Sequence, residues 1–225
     1  MKPRTRIQTG TQFLASAQPP AGVAAPKAPA RESFAHLMAR IRACQVCARH
    51  LPHGCRPVLQ AHPDARLLIV SQAPGRKVHE TGIPFNDKSG DKLREWIGID
   101  KRTFYDAHRV AIVPMGFCYP GKGPSGDLPP RPECAPLWHP QLLPRLKNIQ
   151  LTLAIGSYAI RGMLGDRRKA TLTETCTAWR ECFDIGVLPL PHPSPRNTAW
   201  FIHHPWFEAE VLPALRRRVR QALKD

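Results

Sequence analysis

The sequence contains no run of 18 apolar residues, so it offers no segment long enough to cross a membrane as a helix. The basic segment at residues 1–6 is followed by no apolar stretch of the kind that a secretory signal requires. No internal repeat is present either. A chain of 225 residues with these absences fits one α/β domain with a tail, or two small domains.

Acidic side chains are scarce, with 17 Asp and Glu against 33 Lys and Arg, which gives a formal net charge of +16. This excess predicts a polyanionic partner, with nucleic acid as the first candidate and an anionic membrane surface as the second. Because attraction to phosphates is largely independent of sequence, the charge indicates a class of partner and no particular target. We expect a cytoplasmic protein associated with the nucleoid.

The chain has seven cysteines, and an odd number without a secretory signal argues against a disulfide framework. In a reducing compartment, clustered cysteines more often bind a metal or are simply buried. Cys44 and Cys47 form a Cys-x-x-Cys pair directly after a helix predicted over residues 33–42. From the residues alone, this pair is a redox pair, half of a metal site or a chance occurrence.

Short apolar runs predict four buried strands, at residues 66–70, 110–113, 151–156 and 187–190. Segments with helical periodicity follow these strands, at residues 91–97, 133–146, 158–164 and 206–223. This alternation predicts an α/β fold, a three-layer α/β/α sandwich with a central, mainly parallel four-stranded sheet. Ser89 is expected to cap the helix at residues 91–97.

The N-terminal residues differ in composition from the rest of the chain. Residues 1–31 are rich in Pro and Ala, carry scattered basic residues and show no periodicity. We therefore predict a disordered basic tail at residues 1–31, followed by one domain at residues 32–225.

Polar and glycine-rich segments follow the first and fourth predicted strands. Ser-Gln-Ala-Pro-Gly occupies residues 71–75, and His-Pro-Ser-Pro-Arg-Asn occupies residues 192–197. Ligand sites in open α/β sheets lie beyond the carboxyl ends of the strands. A histidine at a strand end can hydrogen-bond a leaving group, while a stiff proline-clamped loop with a basic tip can enter nucleic acid. The alternative is an ordinary proline-rich surface turn.

Four stretches together resemble the uracil-DNA glycosylase superfamily. The segment at residues 71–75 is similar to its first motif, and Gly-Ile-Pro-Phe at residues 82–85 resembles the loop whose Phe stacks on the flipped base. Leu-Ala-Ile-Gly at residues 153–156 resembles the third-strand signature. The segment at residues 192–197 resembles the second catalytic motif with its minor-groove loop. The resemblance covers roughly residues 40–215, and its specificity lies in the order and spacing of the motifs.

The resemblance implies roles for residues around the extruded base. Phe85 would stack on uracil, with core packing as the alternative interpretation. His192 would donate a hydrogen bond to uracil O2, where negative charge develops. Backbone N–H groups around Gln72 and Ala73 would contact the edge of the base.

The resemblance also implies contacts to the DNA backbone and minor groove. Pro195, Arg196 and Asn197 would lie in the minor-groove loop. Ser194 would contact a phosphate, and Lys88 is a second candidate for such a contact. A basic run in the C-terminal helix is more simply a solvated face.

The cysteines resemble those of the iron–sulfur branches of bacteria and archaea, in which a Cys-x-x-Cys pair precedes the first motif and two cysteines flank a proline-rich loop. The corresponding residues are Cys44, Cys47, Cys118 and Cys134. This resemblance implies a [4Fe–4S] cluster that joins the N-terminal helix to the loop. Zinc, or four reduced thiols, is the alternative. Cys55 is a spare candidate ligand, and Cys176 and Cys182 are interpreted as structural or incidental.

The first motif departs from the family pattern where a catalytic carboxylate is expected. Gln72 stands where the iron–sulfur branch usually carries Glu, and Ala73 stands where the best-known branch carries Asp. Pro114 replaces the base-reading Asn at the end of the second strand. We therefore predict that Asp87 orients the attacking water, with an Asx turn or helix N-cap as its alternative role. Asn86 is a candidate for the missing amide.

Two functions of different kinds follow from these observations. The first is base-excision repair by a monomeric glycosylase that hydrolyses the N-glycosidic bond of uracil, or of a related deaminated base, in flipped-out DNA. The second is an inactive or weakly active relative that binds damaged or abasic DNA. A thiol–disulfide or zinc-binding module built on Cys44 and Cys47 is a third, but it explains neither the strand-end motifs nor the charge.

Overall fold

The computed structural model describes residues 32–124 and 126–224. The tail predicted at residues 1–31 lies outside the described residues. None of the helices in the described ranges combines the length and the apolarity that a membrane crossing requires.

A four-stranded parallel sheet forms the centre of the fold. Its strands are β1 (Leu67–Val70), β2 (Val110–Ile112), β5 (Leu151–Ile155) and β6 (Val187–Leu190). They lie side by side in the order β2-β1-β5-β6, with Leu67 of β1 opposite Val110 of β2 and Leu151 of β5. Every strand residue is buried, which explains why the sequence shows continuous apolar runs instead of alternation.

Helices cover both faces of the sheet, and β1 shows how its side chains divide between them. Leu68 and Val70 pack into one apolar cluster, whereas Leu67 and Ile69 pack into the other. The predicted three-layer α/β/α sandwich is therefore confirmed. The helices are α1 (Phe34–Arg42), α2 (Arg76–Thr81), α3 (Lys88–Ile97), α4 (Lys101–Phe104), α5 (Cys134–Leu142), α6 (Gly156–Leu164), α7 (Leu172–Thr177), α8 (Trp179–Asp184), α9 (Thr198–His203) and α10 (Leu212–Ala222).

Helix α3 begins earlier than the sequence pattern predicts. Its first residue is Lys88, and the side chain of Asp87 accepts a hydrogen bond from the N–H of Gly90 at 2.9 Å. The prediction of Ser89 as the cap was wrong, because an Asp two residues earlier satisfies the free N–H groups of the first turn.

Prolines shape the helix predicted over residues 133–146. Helix α5 accommodates Pro140 but ends at Leu142, and the 3-10 turn Leu143–Arg145 follows it. The predicted C-terminal helix is also divided, because a π-helical turn, Phe207–Val211, precedes α10.

A small hairpin, which the sequence patterns did not predict, projects from the loop after β2. Its strands are β3 (Lys122–Gly123) and β4 (Gly126–Asp127), paired antiparallel with Lys122 opposite Asp127. Two-residue strands show no periodicity, so no pattern indicated them. The hairpin is important because it brings residues 126–128 to the carboxyl edge of the parallel sheet.

Candidate functional site

A cavity of about 400 Å³ opens at the carboxyl ends of β1, β2 and β6. One wall is the segment after β1, a second wall is the loop after β6, and the hairpin forms a third. Most of the residues predicted to contact the base or carry the chemistry line this cavity. They are Gln72, Ala73, Phe85, Asp87, His192, Ser194, Arg196 and Asn197.

Phe85 lines the cavity in an unusual backbone conformation. Its φ of 54° lies in the left-handed region, and it is the one non-glycine residue with positive φ in the described ranges. Its side chain is buried and packs edge-on against Phe104, with ring centroids 6.1 Å apart. The Phe85 carbonyl accepts hydrogen bonds from Arg94 and from the Tyr105 hydroxyl, both at 3.4 Å. The ring therefore packs in the core and also borders the cavity.

Gly90 makes the conformation of Phe85 possible. A Cβ at position 90 would lie only 1.8 Å from the Phe85 carbonyl oxygen, which no real contact permits. The first turn of α3 therefore packs directly on the backbone that carries the aromatic ring. The same turn receives the cap from Asp87.

Asp87 caps α3 and also reaches the cavity. Oδ1 accepts the hydrogen bond from Gly90, while Oδ2 lies 4.0 Å from the position that a Cβ at Gly75 would occupy. The residue is half-buried. The N-cap, which was the alternative role for Asp87, is present. It uses one carboxylate oxygen and leaves the other facing the cavity.

The first motif presents backbone donors at the cavity. The carbonyls of Ser71 and Gln72 accept hydrogen bonds from the N–H groups of Met115 and Gly116 at 2.8 and 2.9 Å. Within the described ranges, the N–H groups of Gln72 and Ala73 donate to no protein group. They remain unsatisfied by protein at a cavity wall, as donors for a ligand must be.

His192 stands on the opposite wall, half-buried at the end of β6. Burial lowers the pKa of its imidazole below the usual 6.5, although the charges of Asp87 and Asp127 oppose that shift. The ring is therefore neutral at pH 7 and carries one N–H donor. The side-chain amide of Asn197 donates to the His192 carbonyl at 2.8 Å, which fixes the start of the loop.

The loop after His192 is held by its own polar groups and by the hairpin. The Ser194 hydroxyl oxygen accepts the N–H of Arg196 at 3.3 Å and caps the 3-10 turn Pro195–Asn197. The Arg196 guanidinium lies directly over Gly126, where any Cβ would collide with it. Arg196 thus connects two of the walls above the cavity.

Three predicted contact residues lie outside the cavity lining. Lys88 and Pro195 line an adjoining groove together with Ser194, along the side of α3. The groove adjoins the cavity at Ser194, which lines both. Asn86 is half-buried and lines neither space.

Asp127 also lines the cavity, and sequence reasoning missed it. It is exposed on β4, and its Oδ1 accepts a hydrogen bond from the buried Tyr119 hydroxyl at 3.4 Å. The only available signal was the Gly-Asp pair within a long loop rich in glycine and proline. A carboxylate in such a loop has no periodic neighbours that would indicate where it points.

A second, narrower cavity lies on the other side of the proline-rich loop. It measures about 20 Å³ and is formed by the end of α1, the following segment, residues 116–118 and the start of α5. The structure brings all four predicted ligand thiols together there, with the spare candidate beside them. The five thiols are those of Cys44, Cys47, Cys55, Cys118 and Cys134.

Burial raises the pKa of several of these thiols. It raises the pKa of Cys47 to about 11 and that of Cys118 to about 12, and it raises the pKa of Cys134 as well. All seven cysteines lie in the described ranges and are free thiols. Cys176 and Cys182 are buried in the apolar core, apart from the five, consistent with their interpretation as structural residues.

A comparison with protein families matches residues 59–216 to the uracil DNA glycosylase superfamily, whose members act on damaged DNA. The match begins after the first three cysteines and includes the whole parallel sheet, the hairpin and all three walls of the cavity. Since it spans well over half of the sequence, the chain belongs to the uracil DNA glycosylase superfamily.

Proposed function

We propose that the protein is a monomeric DNA glycosylase that hydrolyses the N-glycosidic bond of uracil, or of a related deaminated base, in base-excision repair. The observation that carries this proposal is the convergence of Phe85, Asp87 and His192 on one cavity. An aromatic face, a carboxylate oxygen and a neutral imidazole are the groups that this hydrolysis needs around a flipped base.

The substrate base would enter the cavity after leaving the DNA stack. Unstacking costs a few kcal/mol, which contacts inside the cavity must offset. Phe85 supplies a ring for stacking, and the N–H groups of Gln72 and Ala73 supply donors for the carbonyl edge of the base. Arg196 at the cavity wall and Lys88 in the adjoining groove supply positive charge for the phosphates.

Residues on two opposite walls of the cavity share the chemical step. The bond between N1 and C1′ breaks, and its electron pair leaves with the base. The neutral His192 N–H donates to the base O2, where this charge gathers. Water forms the new bond to C1′, and its proton passes to Oδ2 of Asp87. The departing base anion then takes a proton from solvent and Asp87 releases its own to solvent, which balances the hydrolysis and restores the carboxylate.

We further propose that the chain belongs to an iron–sulfur branch of the superfamily, with a [4Fe–4S] cluster on Cys44, Cys47, Cys118 and Cys134. The support is the donor set itself, since these thiols converge on one narrow cavity. The cluster would supply a structural link and no redox step. The cysteines hold the end of α1 against the proline-rich loop and the start of α5. Zinc is the weaker alternative, because no three of these thiols lie within 4.8 Å of one another, as the ligands of a single ion do.

A second candidate function is binding of damaged or abasic DNA without cleavage. The first motif carries no carboxylate, and Asp87 uses one oxygen to cap α3. Both observations weaken the hydrolytic machinery while leaving the basic surface intact. This candidate therefore shares the DNA contacts of the first and differs only in the chemistry.

A cleavage assay separates the two candidate functions. Purified, metal-loaded protein is incubated with single- and double-stranded oligonucleotides that carry one uracil, and abasic sites are revealed by alkali. Wild type should produce them, and Asp87→Asn should lower the single-turnover rate by about a hundredfold or more. Asp184→Asn, a matched change at the opposite edge of the sheet, should behave like wild type. DNA binding by wild type without any abasic product would favour the second function.

A further inference from the structure

We propose that Asp127 is a second catalytic carboxylate, which holds the attacking water jointly with Asp87. This inference rests on the proposed glycosylase function and names a residue from the hairpin, a different element from those that carry the motifs. The first motif leaves open which residues supply the catalytic carboxylate. A site that lacks a carboxylate in that motif has two carboxylates from elsewhere.

The two carboxylates are arranged in the same way around one point. In each residue, Oδ1 accepts a hydrogen bond from the protein, from the Gly90 N–H for Asp87 and from the Tyr119 hydroxyl for Asp127. The two Oδ2 atoms lie 4.0 Å and 3.5 Å from the position of a Cβ at Gly75. Among the described residues, no other atom outside Gly75 and its two chain neighbours lies within 4 Å of that position.

Both carboxylates place a negative charge at the cavity wall. Neither Asp87 nor Asp127 has a basic nitrogen within 4.0 Å among residues 32–124 and 126–224, although many other acidic residues there form ion pairs. Two unpaired negative charges in a cleft that faces DNA oppose the approach of phosphates. A transition state with positive charge on the sugar supplies an offsetting stabilisation.

A water molecule between the two oxygens has the right number of hydrogens for this pair. Each carboxylate accepts one hydrogen, so an oxygen lone pair is free to attack C1′. As the new C–O bond forms, one proton passes to Asp87. Asp127 stays ionised, still accepts a hydrogen bond from the remaining O–H and stabilises the positive sugar. The base leaves with the electrons of the broken bond on the side of His192.

The first test is Asp127→Asn in metal-loaded, full-length protein with a uracil oligonucleotide. We expect the single-turnover rate to fall by about a hundredfold. DNA affinity should stay the same or increase, because a negative charge is removed from the cleft. Asp184→Asn removes the same charge from an exposed site at the far edge of the sheet and controls for net charge.

The second test is Gly75→Ala, which addresses the space between the carboxylates. Gly75 has a φ of −81°, so alanine introduces no backbone strain. The added methyl would make ordinary van der Waals contact with the two Oδ2 atoms and would occupy the proposed position of the water. We expect normal thermal stability with at least a tenfold loss of single-turnover rate. This variant tests the inference even if Asp127→Asn folds poorly.

The outcomes separate this inference from the proposed function. If wild type produces no abasic sites, the glycosylase function itself fails. If wild type cleaves and both Asp127→Asn and Gly75→Ala cleave within threefold of it, only the role of Asp127 is overturned. The role is also overturned if Asp127→Asn keeps its rate but changes the preference among uracil, hypoxanthine and xanthine. That result would make Asp127 a reader of the base.

Discussion

The proline-rich loop after β2 separates two cavities that differ in almost every property. On one side, Asp127 and its hairpin neighbours face an open space of about 400 Å³ with backbone N–H groups and carboxylate oxygens directed into it. On the other side, Cys118 and Cys134 face a space of about 20 Å³ lined by sulfur, apolar groups and the Arg131–Glu133 ion pair. The first is open and polar, and the second is narrow and mostly apolar.

The loop itself joins these two cavities. Met115 and Gly116 donate to the first motif at the wall of the open cavity, while Cys118 reaches the thiol cavity two residues later. Whatever fixes the thiols therefore also fixes the segment that leads to the hairpin and Asp127. We therefore expect substitutions at the thiol cavity to affect the open cavity as well. Substitutions at the open cavity should leave the thiol cavity unchanged.

Loss of a predicted cluster ligand should have the largest effect, because it should change both cavities. Cys118→Ser should abolish the visible absorption of an iron–sulfur protein and, with it, uracil cleavage, because the loop loses its link to α1. Iron content, the visible spectrum and cleavage would be measured together. Cys55→Ser is the matched control and should keep all three. If Cys55→Ser loses the spectrum and Cys118→Ser keeps it, Cys55 is the fourth ligand.

Removal of the leaving-group donor should have a large effect that stays on the open side. His192→Ala should lower the single-turnover rate by about 10² to 10³, because the charge on the base O2 loses its donor. Affinity for DNA and any visible spectrum should not change. His108→Ala, an exposed histidine before β2, should match wild type. A loss of metal in His192→Ala would contradict the separation of the two cavities.

His139 lies between the two cavities and should make the fold sensitive to acid. The ring is fully buried, hydrogen-bonded to the Pro114 carbonyl at 3.0 Å and stacked near Phe117. Burial lowers its pKa from 6.5 to about 4. The unfolded chain thus takes up a proton at higher pH than the folded protein does. The free energy of unfolding should fall by about 3 kcal/mol as the pH drops from 6.5 to about 4.

Denaturant unfolding across that pH range, with His139→Gln for comparison, measures this contribution. The glutamine amide can still donate to the Pro114 carbonyl but does not titrate, so the variant should lose most of the pH dependence. A smaller slope should remain, because burial also lowers the pKa of His79 and His192. Equal slopes in wild type and variant would exclude His139 as the main source.

The sequence predicted the parts of the fold that depend on burial. The four strands are continuous apolar runs because both faces of the sheet are covered, so their positions could be read directly from composition. The parts that depend on local hydrogen bonds were predicted less well. Asp87 captures the first turn of α3, and Pro140 lies within α5 without ending it. Periodicity carries no information about either.

The candidate site shows the same division between pattern and geometry. His192 could be placed from the motif after β6, because the carboxyl ends of parallel strands meet at one edge. The role of Phe85 was predicted from the resemblance of residues 82–85 to the family's stacking loop. Asp127 could not, since its position depends on a hairpin of two-residue strands and on the hydrogen bond from Tyr119. Asn86, the predicted amide, directly follows Phe85, whose backbone is left-handed. Its side chain is not part of the cavity lining.

Phe85 holds its left-handed conformation in the free protein, before any DNA arrives. A non-glycine residue there costs on the order of 1–3 kcal/mol, which lowers the stability of the resting fold and leaves the affinity for substrate undiminished. Under the proposed function, this loss of stability is present whether or not substrate is bound. A substitution that relieves the backbone strain at this residue would therefore raise the stability of the protein. Under the proposed function, the same substitution would weaken the stacking on the flipped base.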